Sequence, residues 1–239
     1  MDNAFTLKKG DLITQQEEDL TWQVIKIIEI DKWPDNTHTA HCLIYQPADE
    51  KPDADTTEKL EKHILHTPVD AENFQKNWEL LGNKQLTEDE LTGFTEYLKI
   101  TDFQRYAEFT HQDISKIVAQ ANEIYTNAIA LAEQGKHTDA ISTYTEAFEI
   151  FPLFYEAIDN RGFTYMDIGQ YEKALDDFQY SLQLNPDGVT AFFTKGECLL
   201  KLNRTAEAAD VFQQGMLKFP DEKQLFSDFH DKTIQAEEH

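Results

Sequence analysis

The pattern of apolar and polar positions changes character along this chain of 239 residues. As far as about residue 66, apolar residues come in short runs rich in β-branched and aromatic side chains. These runs are Asp11-Leu12-Ile13, Leu20 to Ile30 and His38 to Tyr45, with Leu60 to His66 as a further strand. Turn-prone stretches separate them, Gln15-Gln16-Glu17-Glu18-Asp19 and Trp33-Pro34-Asp35-Asn36, as expected of strands joined by tight connections. Trp22 to Ile30 is apolar on both faces, which predicts a central strand of a closed sheet. Ala48 to Thr57, with Pro52 and four acids, reads as an exposed loop. Helical spacing takes over from about Asp70. Thr87-Glu88-Asp89-Glu90 has the form of a capping box, and Leu91, Phe94 and Leu98 then recur at i, i+3 and i+7. A second short helix is expected over Asp102 to Phe109.

The second half repeats. Pro152, Pro186 and Pro220 lie 34 residues apart, each after an apolar helical stretch. Stepping back in register from each proline gives matching columns. The first large apolar column is Ile124, Ile158, Phe192, and a small column follows, Ala128, Gly162, Gly196. Then come Leu131, Tyr165, Leu199 and a turn column, Gly135, Gly169, Asn203. The rest are Ala140, Ala174, Ala208, then Tyr144, Phe178, Phe212, then Ala147, Ser181, Gly215. Small residues let two antiparallel helices approach closely. Gly and Asn tolerate the positive φ that often ends a helix. Proline ends the second helix, because it lacks a donor and disfavours helix at the residue before it.

Over residues 121–220 these columns resemble the tetratricopeptide repeat family, most fully at Gly169-Gln170-Tyr171-Glu172-Lys173-Ala174, Phe178 and Asn185-Pro186. Asn127, Arg161 and Lys195 depart from the family's apolar preference and are expected to open one edge of each hairpin to solvent. Leu225, Phe226, Phe229 and Ile234 predict the capping helix that a terminal repeat requires. Ile114, Ile117, Val118 and Ala121 extend the first repeat helix backward to about Gln112, which would join the repeats rigidly to what precedes them. The expected class is α+β. A small N-terminal antiparallel β domain (residues 1–69) precedes a helical connector (70–111) and an all-α solenoid (112–239). The solenoid's repeats run about 121–154, 155–188 and 189–222, with the cap at 223–238. Lys8-Lys9-Gly10-Asp11 gives the β domain a resemblance to a small SH3-like barrel, which brings over no functional residues.

Composition narrows the function. The net charge is −24, from 45 acids and 21 bases, and −12 falls in each half, so the acidity is not a tail. Such a surface repels phosphate backbones and anionic membranes, and it steers basic proteins inward. No apolar run approaches a membrane span. Met1-Asp2-Asn3-Ala4-Phe5 lacks the basic start of a secretory signal. Cys42 and Cys198 are too few for a disulfide framework and read as reduced thiols. The chain is therefore expected in the cytoplasm.

Catalytic and cofactor signatures are sparse. There is no glycine-rich phosphate loop and no Gly-x-Ser-x-Gly elbow, so no cofactor and no enzymatic activity are expected. His38, His41, His63 and His66 are the best metal candidates. On a strand, however, residues i and i+3 point to opposite faces, so His38 and His41 could not share an ion. They read as surface or half-buried side chains whose replacement costs little.

The family resemblance implies a concave face lined by the first helix of each repeat. The partner-binding residues expected there are Tyr125, Ile129, Glu156, Asp159, Asn160, Phe163, Asp167, Phe193 and Glu197. The family's best-known mode grips a C-terminal carboxylate with Lys, Arg and Asn. Here only Asn160 fits, while Tyr125, Ile129, Glu156 and Thr194 stand in the other places. Aromatic and acidic residues together suit a basic amphipathic helix. The primary reading is a scaffold-type protein-binding module. An acidic immunity or inhibitor protein that neutralises a basic toxin or nuclease is the alternative. An enzyme or metal site in the N-terminal domain is a third. Oligomeric state is left open.

Overall fold

The computed structural model describes residues 7–74 and 76–237. Met1 to Phe5 and the last position of the expected cap, residue 238, lie outside these. The chain divides into two compact units, Met1–Thr110 and His111–His239.

The first unit is built on five antiparallel strands: β1 Asp11–Gln16, β2 Trp22–Lys32, β3 His38–Tyr45, β4 Lys62–Asp70 and β5 Glu79–Asn83. Their order is β4-β3-β2-β1-β5. The first four form a meander, and the fifth returns to pair with β1. β4 and β5 are the two edges, so hydrogen bonding does not close the sheet as the sequence suggested. β5 also corrects the expectation of a purely helical connector over 70–111. Its Glu-Leu-Leu-Gly-Asn run has no β-branched residue to signal a strand. Helices α1 Glu88–Thr101 and α2 Phe103–Phe109 belong to the same unit as the sheet.

Both faces of the sheet are buried. Leu12, Val24, Ile28, Leu43 and Tyr45 pack with Phe94 and Leu98 of α1. Ile13, Ile25, Ile27, Ala40 and Cys42 pack on the other side with Phe74 of a 3-10 turn. This explains the two-faced apolar run of β2. The capping box forms as read: Glu90 N donates to Thr87 Oγ1 and Thr87 N to Glu90 Oε2. Glu90 does more than cap. Its carboxylate accepts from Lys26 Nζ at 2.7 and 2.8 Å and from the Tyr45 hydroxyl at 2.9 Å, which ties the start of α1 to β2 and β3.

The second unit is a run of seven helices among the described residues: α3 Ile114–Glu133, α4 His137–Ile150, α5 Tyr155–Asp167, α6 Tyr171–Leu184, α7 Val189–Lys201, α8 Thr205–Lys218 and α9 Lys223–Glu237. Each packs chiefly on its sequence neighbours. The turn column behaves as its residues demand, with φ of +74° at Gly135, +72° at Gly169 and +57° at Asn203. The small columns sit against aromatic rings. A Cβ on Gly162 would lie 3.0 Å from the Phe178 ring, and one on Gly196 would lie 2.5 Å from that of Phe212. One on Gly215 would fall 2.2 Å from the ring of Phe226. Phe178, Phe212 and Phe226 are all fully buried. Cys42 and Cys198 are buried too, and burial pushes both thiols up to about 12, which suits inert thiols.

Added bulk at a close helix contact costs ~1–3 kcal/mol. Gly215→Ala is therefore expected to lower stability by about that much in urea denaturation. Gly162→Ala, where the ring stands farther off, should cost less. Equal effects would mean that the ring contacts do not set the helix spacing.

Candidate functional site

The first helices of successive repeats, α3, α5 and α7, carry the residues expected to bind a partner. The structure joins part of this set directly. Asn160 Nδ2 donates to the Tyr125 hydroxyl at 2.6 Å and to the Glu156 carbonyl at 3.0 Å, so α5 is tied to α3. Tyr125 lies 4.8 Å from the Phe154 ring and 5.9 Å from that of Tyr144. Ile129 is half-buried in the same apolar cluster. Phe163 packs edge-on against Phe178 at 5.1 Å. Phe193 lies 5.6 Å from Phe212, 5.7 Å from Phe226 and 4.7 Å from Phe229. Both phenylalanines thus serve the core with one side of the ring while staying half-buried. Glu156, Asp159 and Glu197 are half-buried and Asp167 is exposed.

These four acids make no ion pair among the described residues. Burial raises the Asp159 carboxyl, its hydrogen bond with Ser181 opposes this, and Glu156 and Asp177 raise it further. Asp159 Oδ1 is buried with no hydrogen-bond partner within the distance of a normal bond. Burial likewise raises Glu197, against the pull of Lys201. The Tyr125 hydroxyl is raised by burial and then by Glu156 and Asp159. Tyr125, Glu156 and Asp159 therefore lie close enough for the two carboxylates to act on each other and on the hydroxyl.

Arg161 departs from the expectation that it would face solvent. Its guanidinium grips Asp177 of α6 at 2.6 and 2.9 Å and donates to Thr145 of α4 at 2.8 Å. One side chain thus links three helices. Lys195 is half-buried, and among the three departures only Asn127 is exposed. A lone sequence could show the odd residue but not its partner 16 positions away.

In the first unit the histidines behave differently from their sequence reading. His41 is 2% exposed and is not a surface residue. His38 lines a cleft with Val69 on the other face of the sheet, so the two do point apart. The pairing crosses the two His-x-x-His motifs: His41 Nδ1 lies 2.9 Å from His66 Nε2. His41 Nε2 lies 3.0 Å from Asp31 Oδ2, and Arg105 grips Asp31 at 2.6 and 2.7 Å. The hydrogen bond from Arg105 holds the Asp31 carboxyl below its ordinary range. An ionised Asp31 accepts from His41 Nε2, and a single proton lies in the hydrogen bond between His41 Nδ1 and His66 Nε2. The His66 ring lies tilted against that of Tyr97, 4.4 Å between centroids. These nitrogens satisfy each other, and among the described residues no three His, Cys, Asp or Glu side chains are placed to hold a metal ion. No helix there is long and apolar enough to cross a membrane.

Comparison with known proteins bears on the second unit. A family model described as Tetratricopeptide repeat matches residues 165–227. The photosystem I assembly protein Ycf3 of Acaryochloris marina is 30% identical over 119 residues, which cover 48% of this chain and 69% of that protein. The chain belongs to the tetratricopeptide repeat family. Human tetratricopeptide repeat protein 28 is 40% identical over 89 residues, 37% of this chain but 4% of its own length. The chain likewise spans only 17% of a Cryptococcus neoformans tetratricopeptide repeat and J domain-containing co-chaperone, at 33% identity over 38% of this chain. Among solved structures, the first TPR of Spaghetti (RPAP3) bound to an HSP90 peptide aligns with 50% of this chain and 94% of its own. Its identity is 21% and its TM-score 0.46. The tetratricopeptide columns account for the second unit and leave the SH3-like resemblance of the first unsupported.

Two outcomes follow for stability. Asp177→Ala leaves a half-buried guanidinium without its carboxylate and should cost about 2–4 kcal/mol, well above Thr145→Ala in the same denaturation assay. Burial, and then the neighbouring His41, lower His66 from 6.5 to about 4. The unfolded chain then binds the extra proton first, so this contribution is intact above pH 6.5 and is lost as pH falls toward 4. The loss should be on the order of 1 kcal/mol once solvent screening is allowed for. His66→Gln, which keeps a donor toward His41, should flatten that part of the stability–pH curve. An unchanged slope would show that His66 is not the group responsible.

Proposed function

We propose that this chain is a protein-binding module whose tetratricopeptide unit holds a basic, partly apolar protein segment against the shared face of α3, α5 and α7. The observation that carries this reading is the set Glu156, Asp159, Asp167 and Glu197. None of the four forms an ion pair among the described residues, and Glu156 and Asp159 lie close enough to Tyr125 for their charges to act on its hydroxyl. A buried carboxylate without a counter-ion costs free energy, and a partner's Lys or Arg removes that cost. The rings offer apolar area at small cost in side-chain entropy. Several solved tetratricopeptide domains hold chaperone peptides, among them an HSP90 peptide ending Glu-Glu-Val-Asp. An acidic peptide of that kind is disfavoured here, because Glu156 would face its carboxylates.

The whole acidic surface supports fast association, whereas the half-buried rings support slow dissociation. The test is capture of a partner on the immobilised full chain, followed by binding kinetics at several salt concentrations. Glu156→Lys and Glu197→Lys are expected to slow association at low salt, and the difference should shrink as the Debye length falls below ~8 Å. Affinity should also weaken as pH drops into the carboxylate range, since Asp159 and Glu197 bind protons more readily than usual. Phe163→Ala is expected to lose about 2 kcal/mol of affinity. It also removes a core contact, so its melting temperature must be read alongside. Wild-type kinetics in both lysine variants would move the site elsewhere on the chain.

A further inference from the structure

The sheet face that carries Ile13, Ile25 and Ile27 opens beside Phe74 into a cleft of about 470 Å³. That lies within the ~300–1,000 Å³ of ordinary ligand clefts. Ile25, Ile44, Val69 and Phe74 give it an apolar lining. Trp78 also lines it, half-buried, with its ring held edge-on to Phe74 at 5.1 Å.

The polar residues there are mostly amides. Gln15 and Gln23 stand opposite each other on β1 and β2. Gln15 Nε2 donates to Glu17 Oε1 at 2.9 Å and to Gln23 Oε1 at 3.4 Å. Gln15 Oε1 and Gln23 Nε2 are left without a bond among the described residues. Asn73 and Asn77 line the same cleft, and neither side chain is hydrogen-bonded among the described residues. Asn77 has a φ of +67°, which Asn tolerates. On the other side of Val69 a second cleft, of about 320 Å³, is lined by Trp33, Thr37, His38 and Thr39. Trp33 is 50% exposed, and its Nε1 donates to Thr39 Oγ1 at 2.9 Å. Of the described residues lining the two clefts, only Lys76 and Asp70 carry a fixed charge.

This combination selects a class of ligand. An anion would meet one lysine against the −24 charge of the whole chain. A hydrocarbon would cover amides and leave them unpaired. A neutral sugar satisfies both parts of the lining. Each hydroxyl donates and accepts, as each amide does. The C–H face of a sugar ring can lie against the electron-rich face of an indole. We propose that the two clefts bind a neutral oligosaccharide, with one sugar ring against Trp78 among the amides and the next toward Trp33. The site belongs to the first unit and does not depend on the proposed partner-binding face.

The neutral probes are cellotriose, maltotriose and N-acetylchitotriose. Trigalacturonate is the charged counterpart, and Ser-Gly-Asn blocked at both ends is a neutral peptide. Calorimetric titration of the full chain should show saturable binding of at least one neutral trisaccharide and none of trigalacturonate. Asn77→Gly keeps the positive φ and removes an amide. It should weaken that sugar about three- to tenfold, the worth of one hydrogen bond. Gln23→Leu should do the same, and Trp78→Ala should abolish measurable binding. Asp210→Ala, exposed on α8, should bind as the wild type does. Trp78→Ala also removes a contact of Phe74, so melting temperatures are compared, and the two amide variants decide the matter if it unfolds. No saturable binding of any neutral trisaccharide would overturn the proposal. So would tighter binding of trigalacturonate or of the peptide, or a sugar held equally well by folded Asn77→Gly and Gln23→Leu.

Discussion

The second unit depends on one repeated contact, an aromatic ring laid against the backbone of a residue that has little or no side chain. Gly162 under Phe178, Gly196 under Phe212 and Gly215 under Phe226 leave space for a ring and almost nothing else. The first two set the spacing within a hairpin. The third sets the spacing between the last hairpin and α9. Because dense packing transmits displacement, the distance between first helices follows from these contacts, and with it the hydrogen bond of Asn160 to Tyr125. The face that would meet a partner is thus positioned from behind, by rings a partner never touches.

The same economy explains why aromatic residues appear on that face at all. Phe163 and Phe193 are anchored edge-on or tilted against core rings, so their free edges are held in place before any partner arrives. Side chains already fixed lose little entropy on binding. The acids beside them are arranged differently. On α5, Arg161 compensates Asp177 of α6, whereas Asp159 on the same helix pairs with no cation among the described residues.

The first unit holds together through polar pins set into an apolar sandwich. Glu90 joins a helix cap to Lys26 and Tyr45, and Arg105, Asp31, His41 and His66 form a chain from α2 across β2 and β3 to β4. Buried groups of this kind are tolerated when each is satisfied. They also specify which helix end meets which strand, a choice that apolar packing alone leaves loose.

Period and local chemistry were legible in the residues. The interval of 34 announced the hairpins, Gly135, Gly169 and Asn203 announced their positive φ, and Thr87 with Glu90 announced a capped helix, because each signal acts within a few residues of itself. The strand β5 was not legible, since its leucines carry no β preference and pairing with β1 decides its state. His41 was misjudged for the same reason: burial and its hydrogen bonds to His66 and Asp31 come from strands distant in sequence. The partners of Arg161 also lay beyond local reading. The sequence by itself determined where the repeats begin, turn and end. Tertiary structure alone decided which charges are compensated and which rings are half free, because compensation and burial depend on neighbours that the chain brings together only when it folds.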